Sequence, residues 1–370
     1  MDSSIITHFL PLEDPRIERN KKHELIDIIV LSICAVCSGA NGWEGIEEFG
    51  HEKLEWLQKY VPLKNGVPSH DCINYVLARL SAENFRECFM SWTKSVVESC
   101  PGEIIALDGK TARGSLDRKN DKKPLHMVSA WACEQRLVLG QEATDEKSNE
   151  ITAIPKLLKL LEIKGCIITI DAMGCQHAIT DQIVEQNGDY VIGLKGNQGH
   201  LHEAVEDFFT VAYKNDFKGV SHDYIEEVDK DHGRFEIRRY WVSDELVTLP
   251  KKASWRGLRS IGMVERECTK AGISSTERRY FINSIEPDAK LFAKAVRGHW
   301  GVENPLHWRL DVLFGDDASR IKKDNGAAVL TSLRHLCMNL FEQEASKLSL
   351  AKKKRKAAWN DTFREKVVFH

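Results

Sequence analysis

Two stretches of the chain determine its central sheet, IIALDGKTARGS at residues 104–115 and CIITIDAMGCQ at residues 166–176. Each is an apolar, strand-like run that ends at an aspartate, Asp108 in the first and Asp171 in the second. A carboxylate at the end of a buried strand costs free energy unless a cation or several hydrogen-bond donors meet it. The pattern therefore predicts two buried strands that bring acidic side chains to one site.

The elements around these stretches have the order of an α/β fold of the RNase H-like type. The predicted strands and helices are, in order, IIALD, PLHMVSAWAC, RLVLGQEA, the helix EITAIPKLLKLLEI, CIITID, the helix HAITDQIVEQN, DYVIGLK and the helix HLHEAVEDFFTVAY. In that fold the first and fourth strands are neighbours at the sheet centre, and ligands gather at strand ends. We therefore expect Asp108 and Asp171 to lie close together.

A third acid, Glu303, lies in AVRGHWGVENPLHW. Residues 288–304 predict a helix on which His299, Trp300 and Glu303 share one face, because they are spaced by three and four residues. Pro305 predicts that the helix kinks or ends there. Taken singly, each of the three acids is a common strand-end or surface residue. Together they form a hard-cation site suited to Mg²⁺ and phosphate-ester chemistry.

Changes in composition and periodicity divide the chain into five segments. They are a helical N-terminal domain (1–100), the first part of the core (101–216), a β-rich insertion before the last catalytic helix (217–284), the second part of the core (285–348) and a basic tail (349–370). The N-terminal helices could bind DNA or simply pack against the core. The KKKRK run of the tail is either a solvated surface or a contact with nucleic acid.

Composition limits the class of protein. The 370 residues are 42% hydrophobic and 29% charged, which is typical of a soluble protein with two or three domains. The net charge of −3 gives no whole-chain sign of nucleic-acid binding, so recognition would depend on local patches. Cys34 and Cys37 lie in an apolar run too short to span a membrane, and a buried pair on a helix is favoured over a metal site. Scattered free thiols indicate the cytoplasm.

Six motifs follow one another in a specific order: LDGKTARGS, HMVSAWA, KSNEITAIP, ITIDAMGCQ, GDYVIGLKGNQ and HWGVENPLHWRLDVLF. With them the chain resembles the DDE transposases of bacterial insertion sequences, in particular the ISAs-type group that includes H-repeat-associated transposase-like proteins. The likeness runs from Phe9 to about residue 340. It implies a catalytic site in which Asp108 bridges two Mg²⁺ ions, with Mn²⁺ as a substitute, and Asp171 and Glu303 lie on opposite sides.

The resemblance also implies partners and a reaction. The enzyme would bind the terminal inverted repeats of its element as double-stranded DNA, cut there, and join the ends to target DNA, as a homodimer in the synaptic complex and without a membrane. Seven residues near the acids are candidates for contacts with DNA: Lys110, Arg113, Lys195, Asn197, His299, Trp300 and Asn304. Trp300 could stack on an unpaired base or pack inwards. His299 could orient Glu303, contact phosphate or be an ordinary helix histidine.

Other residues complicate the site. Four further acids are weaker candidates, Asp311 and Asp317 as supports or turn caps and Glu142 and Glu150 as alternative ligands. Related transposases carry a Tyr, an Arg and a Lys around the glutamate, where this chain has Val296, His299 and Leu310, so that trio is not carried over.

Two alternative functions remain open. An RNase H-like nuclease would share the acids but would not join DNA, whereas a transposase makes a covalent joint to a second duplex. A non-catalytic, DNA-binding relic of a transposase is the second alternative. The three intact acids argue against a relic, while Pro305 and the negative net charge leave it open.

Overall fold

A single mixed sheet runs through the molecule. The computed structural model describes residues 5–97, 101–120, 123–144, 150–231, 234–250, 252–270 and 273–370. The strands in these ranges are β1 (Ile104–Ala112), β2 (Leu125–Ala132), β3 (Leu137–Ala143), β4 (Ile167–Ile170), β5 (Asp189–Leu194), β6 (Asp223–Asp231), β7 (Arg234–Ser243), β8 (Ser260–Lys270) and β9 (Ile273–Asn283). They form one nine-stranded sheet in the order β3-β2-β1-β4-β5-β9-β8-β7-β6. The predicted α/β class is confirmed.

The centre of the sheet is the pairing of β1 with β4. These strands are parallel, and Leu107 lies opposite Ile170. The first strand was expected to end at Asp108, but β1 continues to Ala112 because it stays paired with β2, whereas Asp171 is the first residue after β4. The register therefore places the two aspartates side by side where the parallel pairing of β1 and β4 ends. The expected adjacency of the first and fourth strands is therefore confirmed.

Helices cover both faces of the sheet. In the described ranges they are α1 (Ile5–Phe9), α2 (Leu25–Cys37), α3 (Trp43–Glu52), α4 (Leu54–Leu57), α5 (His70–Leu77), α6 (Ala82–Val96), α7 (Glu150–Leu160), α8 (His177–Glu185), α9 (Gly199–Lys214), α10 (Ala289–Gly301), α11 (Arg309–Phe314), α12 (Gly326–Gln343), α13 (Leu350–Trp359) and α14 (Asp361–Phe369). Ser69 caps α5 by accepting the N–H of Cys72 at 3.3 Å. None of these helices combines the length and the apolar character needed to cross a membrane.

Strand alternation decides which helices meet which face. Ile105 and Leu107 point to the side of α7, α8 and α9, whereas Ile104 and Ala106 point to the side of α10 and α12. Because Asp108 has the parity of Ile104 and Ala106, its side chain lies on the face covered by α10 and by the segment that follows it. Glu303 belongs to that segment.

The N-terminal helices and the C-terminal helices share one hydrophobic core. Residues of α2, α3, α5 and α6 cluster with those of α11, α12, α13 and α14. The thiol of Cys337 on α12, for example, donates to the carbonyl of Ile33 on α2 at 3.7 Å. Cys34 and Cys37 are buried in α2, as the apolar context indicated.

The segment expected to be a basic tail, residues 349–370, instead forms α13 and α14. The Nζ atom of Lys353 is buried and donates to the carbonyl of Phe341 at 2.8 Å. The guanidinium of Arg364 lies 4.1 Å from the ring centroid of Trp56. The charge run concealed an apolar face at helical spacing, and burial of that face fixes the segment against the N-terminal helices.

The strands of residues 217–284 extend the sheet. β9 pairs with the edge of β5, and β8, β7 and β6 continue outward from it. These strands therefore share the sheet that carries Asp108 and Asp171, and α10 packs on them as well as on β1 and β4.

The helix expected over 288–304 changes its geometry at its end. α10 stops at Gly301, and a wider π-helical turn spans Glu303–Trp308 before α11 begins. Within it the N–H groups of Leu306 and His307 both donate to the carbonyl of Val302, each at 3.1 Å. Pro305 has no N–H to donate, and the wider turn accommodates that loss.

Candidate active site

The three acids of the sequence analysis converge at the edge of the sheet. The pKa of Asp108 is raised to about 7, first by burial and then by the negative charges of Glu150, Asp171 and Glu303, while the N–H of Gly109 acts in the opposite direction. Charges act in this way only when they are close. Asp171 and Glu303 therefore lie close enough to Asp108 for their charges to act on it, and Glu150 is an additional neighbour.

Short loops hold Asp171 in place. Its Oδ1 atom accepts the N–H of Met173 at 2.9 Å and caps a short 3-10 turn. The amide of Asn197, in the loop after β5, donates to the carbonyl of Ala172 at 2.6 Å. This contact joins the loops that follow β4 and β5, so Asn197 supports the aspartate loop from the exposed side.

The three acids differ from most buried carboxylates in their lack of a lysine or arginine partner in the described chain. Among the described residues, no lysine or arginine forms an ion pair with Asp108, Asp171 or Glu303. Lys110 is two residues past Asp108, and the sequence predicted that it would meet phosphate. Its side chain is 12% exposed, and its Nζ lies 2.7 Å from Oδ1 of Asp311. This lysine is therefore engaged within the protein.

Lys110 neutralises a second acidic cluster. Carboxylate oxygens of Asp311, Asp316 and Asp317 lie within 4.8 Å of one another. The Nζ atom of Lys110 is 3.4 Å from Asp317 and 3.9 Å from Asp316, and Arg334 approaches Asp316 at 2.6 Å. Asp311 and Asp317, predicted as supports or caps, thus bind the lysine that adjoins Asp108. Arg113 also lies 3.8 Å from Asp317. Because three cations already serve this cluster, the donor chemistry fits a divalent cation better at Asp108, Asp171 and Glu303.

A histidine faces Asp108. The Nδ1 atom of His307, in the π-turn, lies 3.5 Å from Oδ2 of Asp108. Burial lowers the pKa of His307 to about 4, and the charge of Lys110 acts in the same direction. The ring is therefore neutral at physiological pH. Its position four residues after Glu303 is the sequence signal that identifies it, since residues at that spacing share a helix face.

A second histidine links Glu150 to β1. His126 Nε2 is 2.8 Å from Oε1 of Glu150, and its Nδ1 is 2.8 Å from Oγ1 of Thr111. A Cβ at Gly109 would lie 2.2 Å from Oε1 of Glu150, so glycine is required there for the close approach. Glu142, the other weak candidate, pairs with Arg86 away from the cluster.

His299 turns away from the cleft that Trp300 lines. Its Nδ1 atom is 3.2 Å from Oγ1 of Thr169 on β4, and burial lowers its pKa. This arrangement favours the interpretation of His299 as a helix histidine packed against the strand that leads to Asp171. Arg113 and Lys195, by contrast, are exposed near the ends of β1 and β5, and the side chain of Arg113 is 83% exposed.

A cleft of about 410 Å³ opens beside Glu303 and is lined by Trp300 and Asn304. Four arginines also line it, namely Arg238, Arg266, Arg279 and Arg297. The guanidinium of Arg279 lies 3.9 Å from the ring centroid of Trp300, which is 40% exposed. The sequence analysis missed Arg238, Arg266 and Arg279 because they lie on three different strands, β7, β8 and β9, whereas Arg297 lies on α10. Only the register, in which Arg238 is opposite Arg266, brings them together.

Comparison with known protein families identifies the class of this chain. Residues 99–340 match the family described as Transposase DDE domain, and residues 6–93 match the one described as DDE_Tnp_1-associated. The chain belongs to the DDE transposase family of bacteria.

Curated relatives agree with this assignment. The chain is 41% identical to "Putative transposase YncI" of Escherichia coli O157:H7, over 99% of this chain and 94% of that protein. It is also 41% identical to "H repeat-associated putative transposase YhhI" of Escherichia coli strain K12, over 98% of this chain and 97% of the relative. The resemblance stated from the motifs is therefore confirmed at the level of the family.

One solved structure has a related shape. It is a cryo-EM structure of the piggyBac transposase synaptic complex with hairpin DNA. The match has a TM-score of 0.48 and 12% sequence identity, and it covers 98% of this chain and 78% of the other.

Proposed function

We propose that this protein is a metal-dependent transposase that cleaves DNA at the ends of its element and joins them to target DNA. Asp108, Asp171 and Glu303 are the proposed catalytic carboxylates, carried by an RNase H-like core. The observation that carries the proposal is a cluster of three acids, two of them register-matched on β1 and after β4 and the third in the π-turn, that has no lysine or arginine partner in the described parts of the chain. Such a cluster is stabilised when a cation binds to it.

Mg²⁺ suits these ligands because it prefers carboxylate oxygens, and Mn²⁺ is the expected substitute. A pair of such ions, when bound, activates the attacking oxygen and stabilises the leaving oxygen of an in-line phosphodiester displacement. The residues of the chain prepare the site for this chemistry. Asp171 is fixed by its cap on the N–H of Met173, and Asn197 holds the same loop.

The arginine-lined cleft beside Glu303 is the proposed seat of the DNA strand. Guanidinium groups bind phosphate oxygens in a bidentate manner, and an exposed indole offers a surface on which a base can stack. Arg238, Arg266, Arg279 and Arg297 pair with glutamates in this structure and would exchange these partners for phosphate, while Trp300 would contact an unpaired base. Lys110 is the weaker candidate for phosphate binding, because its side chain is only 12% exposed and pairs with Asp311 within the protein. A homodimer that holds two element ends is part of this proposal.

The decisive experiment is cleavage and strand transfer on labelled duplex that carries the ends flanking the gene. The reactions contain Mg²⁺, Mn²⁺ or EDTA and compare the wild type with Asp171→Asn. We expect metal-dependent nicking at the ends and a joined product, both lost in the variant. Nicking without a joined product would instead indicate a nuclease, and binding of the ends without cleavage would indicate a relic.

The cleft can be tested by DNA affinity alone. Trp300→Ala should weaken binding of duplex with a frayed end by about tenfold, because stacking of one base contributes about 1–3 kcal/mol. Trp359, an exposed tryptophan on α13, is the matched control, and Trp359→Ala should bind as the wild type does. Equal losses in the two variants would show that the cleft is not the binding surface.

A further inference from the structure

The imidazole of His307 has no role in the proposed function, although one of its nitrogens faces the proposed catalytic carboxylate of Asp108. It lies in the π-turn four residues past Glu303, and its side chain is 15% exposed. Its Nδ1 atom is 3.5 Å from Oδ2 of Asp108. Its other nitrogen, Nε2, is buried and has no hydrogen-bond partner among the described residues.

The buried Nε2 atom decides where the ring carries its proton. A proton on Nε2 would be a buried donor without an acceptor, which is a costly and rare arrangement. The charged ring carries the same penalty, because both of its nitrogens are donors. A single proton on Nδ1 avoids an orphaned donor and leaves only an unpaired acceptor at Nε2. That N–H then points towards Asp108.

The same argument separates two roles for His307. Direct binding of a cation through Nδ1 would need a bare lone pair there and would force the proton onto Nε2. Donation of the Nδ1–H to Asp108 leaves no buried donor without an acceptor. The geometry therefore favours a hydrogen-bond donor to the carboxylate over a ligand to the cation.

We propose that His307 is a positioning residue that donates its Nδ1–H to Oδ2 of Asp108 and so fixes the orientation of that carboxylate for cation binding. The inference rests on the proposed function of the three acids. The N–H of Gly109 already donates to Oδ1 of Asp108 at 2.9 Å. With His307 on Oδ2, each oxygen has one protein donor and keeps a second lone pair for a cation. Hydrogen bonds of this kind to metal-binding carboxylates support metal affinity.

The test measures Mn²⁺ affinity of the full-length protein by electron paramagnetic resonance, without DNA. Three substitutions distinguish the nitrogens: His307→Asn keeps an N–H donor near the Nδ1 position, His307→Gln moves the amide towards the Nε2 position, and His307→Leu removes both. Asp171→Asn identifies the site of binding. Thermal unfolding of each variant reports whether it is folded, and the Asn and Gln pair suffices if the Leu variant is not.

We expect His307→Asn to bind Mn²⁺ within about threefold of the wild type. His307→Gln and His307→Leu should bind about 10–100-fold more weakly, the usual effect of losing such a partner. Equal affinity in the wild type and all three variants would overturn the positioning role. So would spin-echo modulation from a nitrogen bound directly to Mn²⁺ in the wild type, if His307→Asn abolishes it.

Failure of the underlying function has a different signature. If the wild type binds no Mn²⁺, or if Asp171→Asn binds it equally well, the three acids are not the metal site and the proposed function falls with the inference. If Asp171→Asn abolishes Mn²⁺ binding while the three His307 variants bind Mn²⁺ as the wild type does, the proposed metal site is supported and only the role of His307 is rejected.

Discussion

Asp108 and Lys110 leave the same strand on the same face, yet they enter opposite electrostatic surroundings. Asp108 meets the ring of His307 and two further carboxylates of the proposed site, and no lysine or arginine of the described chain. Lys110 meets Asp311, Asp316 and Asp317 and neutralises them. One acidic group thus has cations within the protein, and the other is the group to which we propose that an external cation binds.

The difference shows that the number of carboxylates does not identify a metal site. The cluster of Asp311, Asp316 and Asp317 is the more compact group by ligand distance, but Lys110 and Arg334 already serve it. The absence of an internal cation is what distinguishes the group around Asp108. A buried group of like charges without a counter-ion destabilises the fold. Its presence therefore indicates a functional site, because selection for stability alone would replace these residues.

The comparison is tested most strongly by removing one acid from each group. Asp171→Asn should lower cleavage on the order of a thousandfold or more, because cation binding contributes several kcal/mol to the transition state. Asp317→Asn should retain Mg²⁺ binding, since its group holds a lysine rather than a metal. Isothermal titration with Mg²⁺ and a cleavage assay measure the two effects. Loss of Mg²⁺ binding in Asp317→Asn alone would exchange the roles of the groups.

Substitution of Lys110 should destabilise the protein at the cluster of Asp311, Asp316 and Asp317. Lys110→Met leaves Asp311, Asp316 and Asp317 with only Arg334 and the exposed Arg113 as cations, and the free energy of unfolding should fall by about 3 kcal/mol. Urea unfolding in EDTA measures this loss. Lys119→Met is the matched control, because that side chain is exposed and has no ion pair among the described residues, so its loss should change stability by about 0.5 kcal/mol or less. The prediction fails if the two variants are equally stable.

Without bound metal, the cluster of Asp108, Asp171 and Glu303 should lower the free energy of unfolding at neutral pH. The pKa of Asp108 is about 7 in the folded protein against 3.8 as the ordinary value, so the folded state binds the extra proton between those values. Stability therefore falls as pH rises through this window. Asp108→Asn cannot ionise, so its stability advantage over the wild type should grow by about 4 kcal/mol from pH 4 to pH 8.

Denaturation in EDTA across this pH range measures the gap. Asp14→Asn supplies a control of opposite sign: contacts with Arg16 outweigh burial and lower the pKa of Asp14, so the wild type gains stability as pH rises. A gap for Asp108→Asn that does not change with pH would show that its carboxylate is not destabilised.

The sequence was sufficient to predict the strands of the core and the acids that lie beside each other on it. Apolar runs before Asp108 and Asp171 predicted strands because strand periodicity is local, although β1 continues past Asp108 to Ala112. The pairing of β1 with β4 was predicted because the order of elements is that of the RNase H-like fold. The ion pairs of Lys110 could not be predicted because its partners lie about 200 residues away. The arginine cleft was missed because strand register creates it. Pro305 signalled a break, but the backbone forms a π-turn instead of ending the helix.

The shared core of the first and last helices has a consequence for synthesis. Cys337 and Ile33 are in contact across 304 positions of sequence. At about 5–20 residues per second on the ribosome, the apolar face of α2 waits roughly 15–60 s for its partner to emerge. During that interval it is exposed surface on a nascent chain, so we expect dependence on chaperones and slow folding dominated by distant contacts.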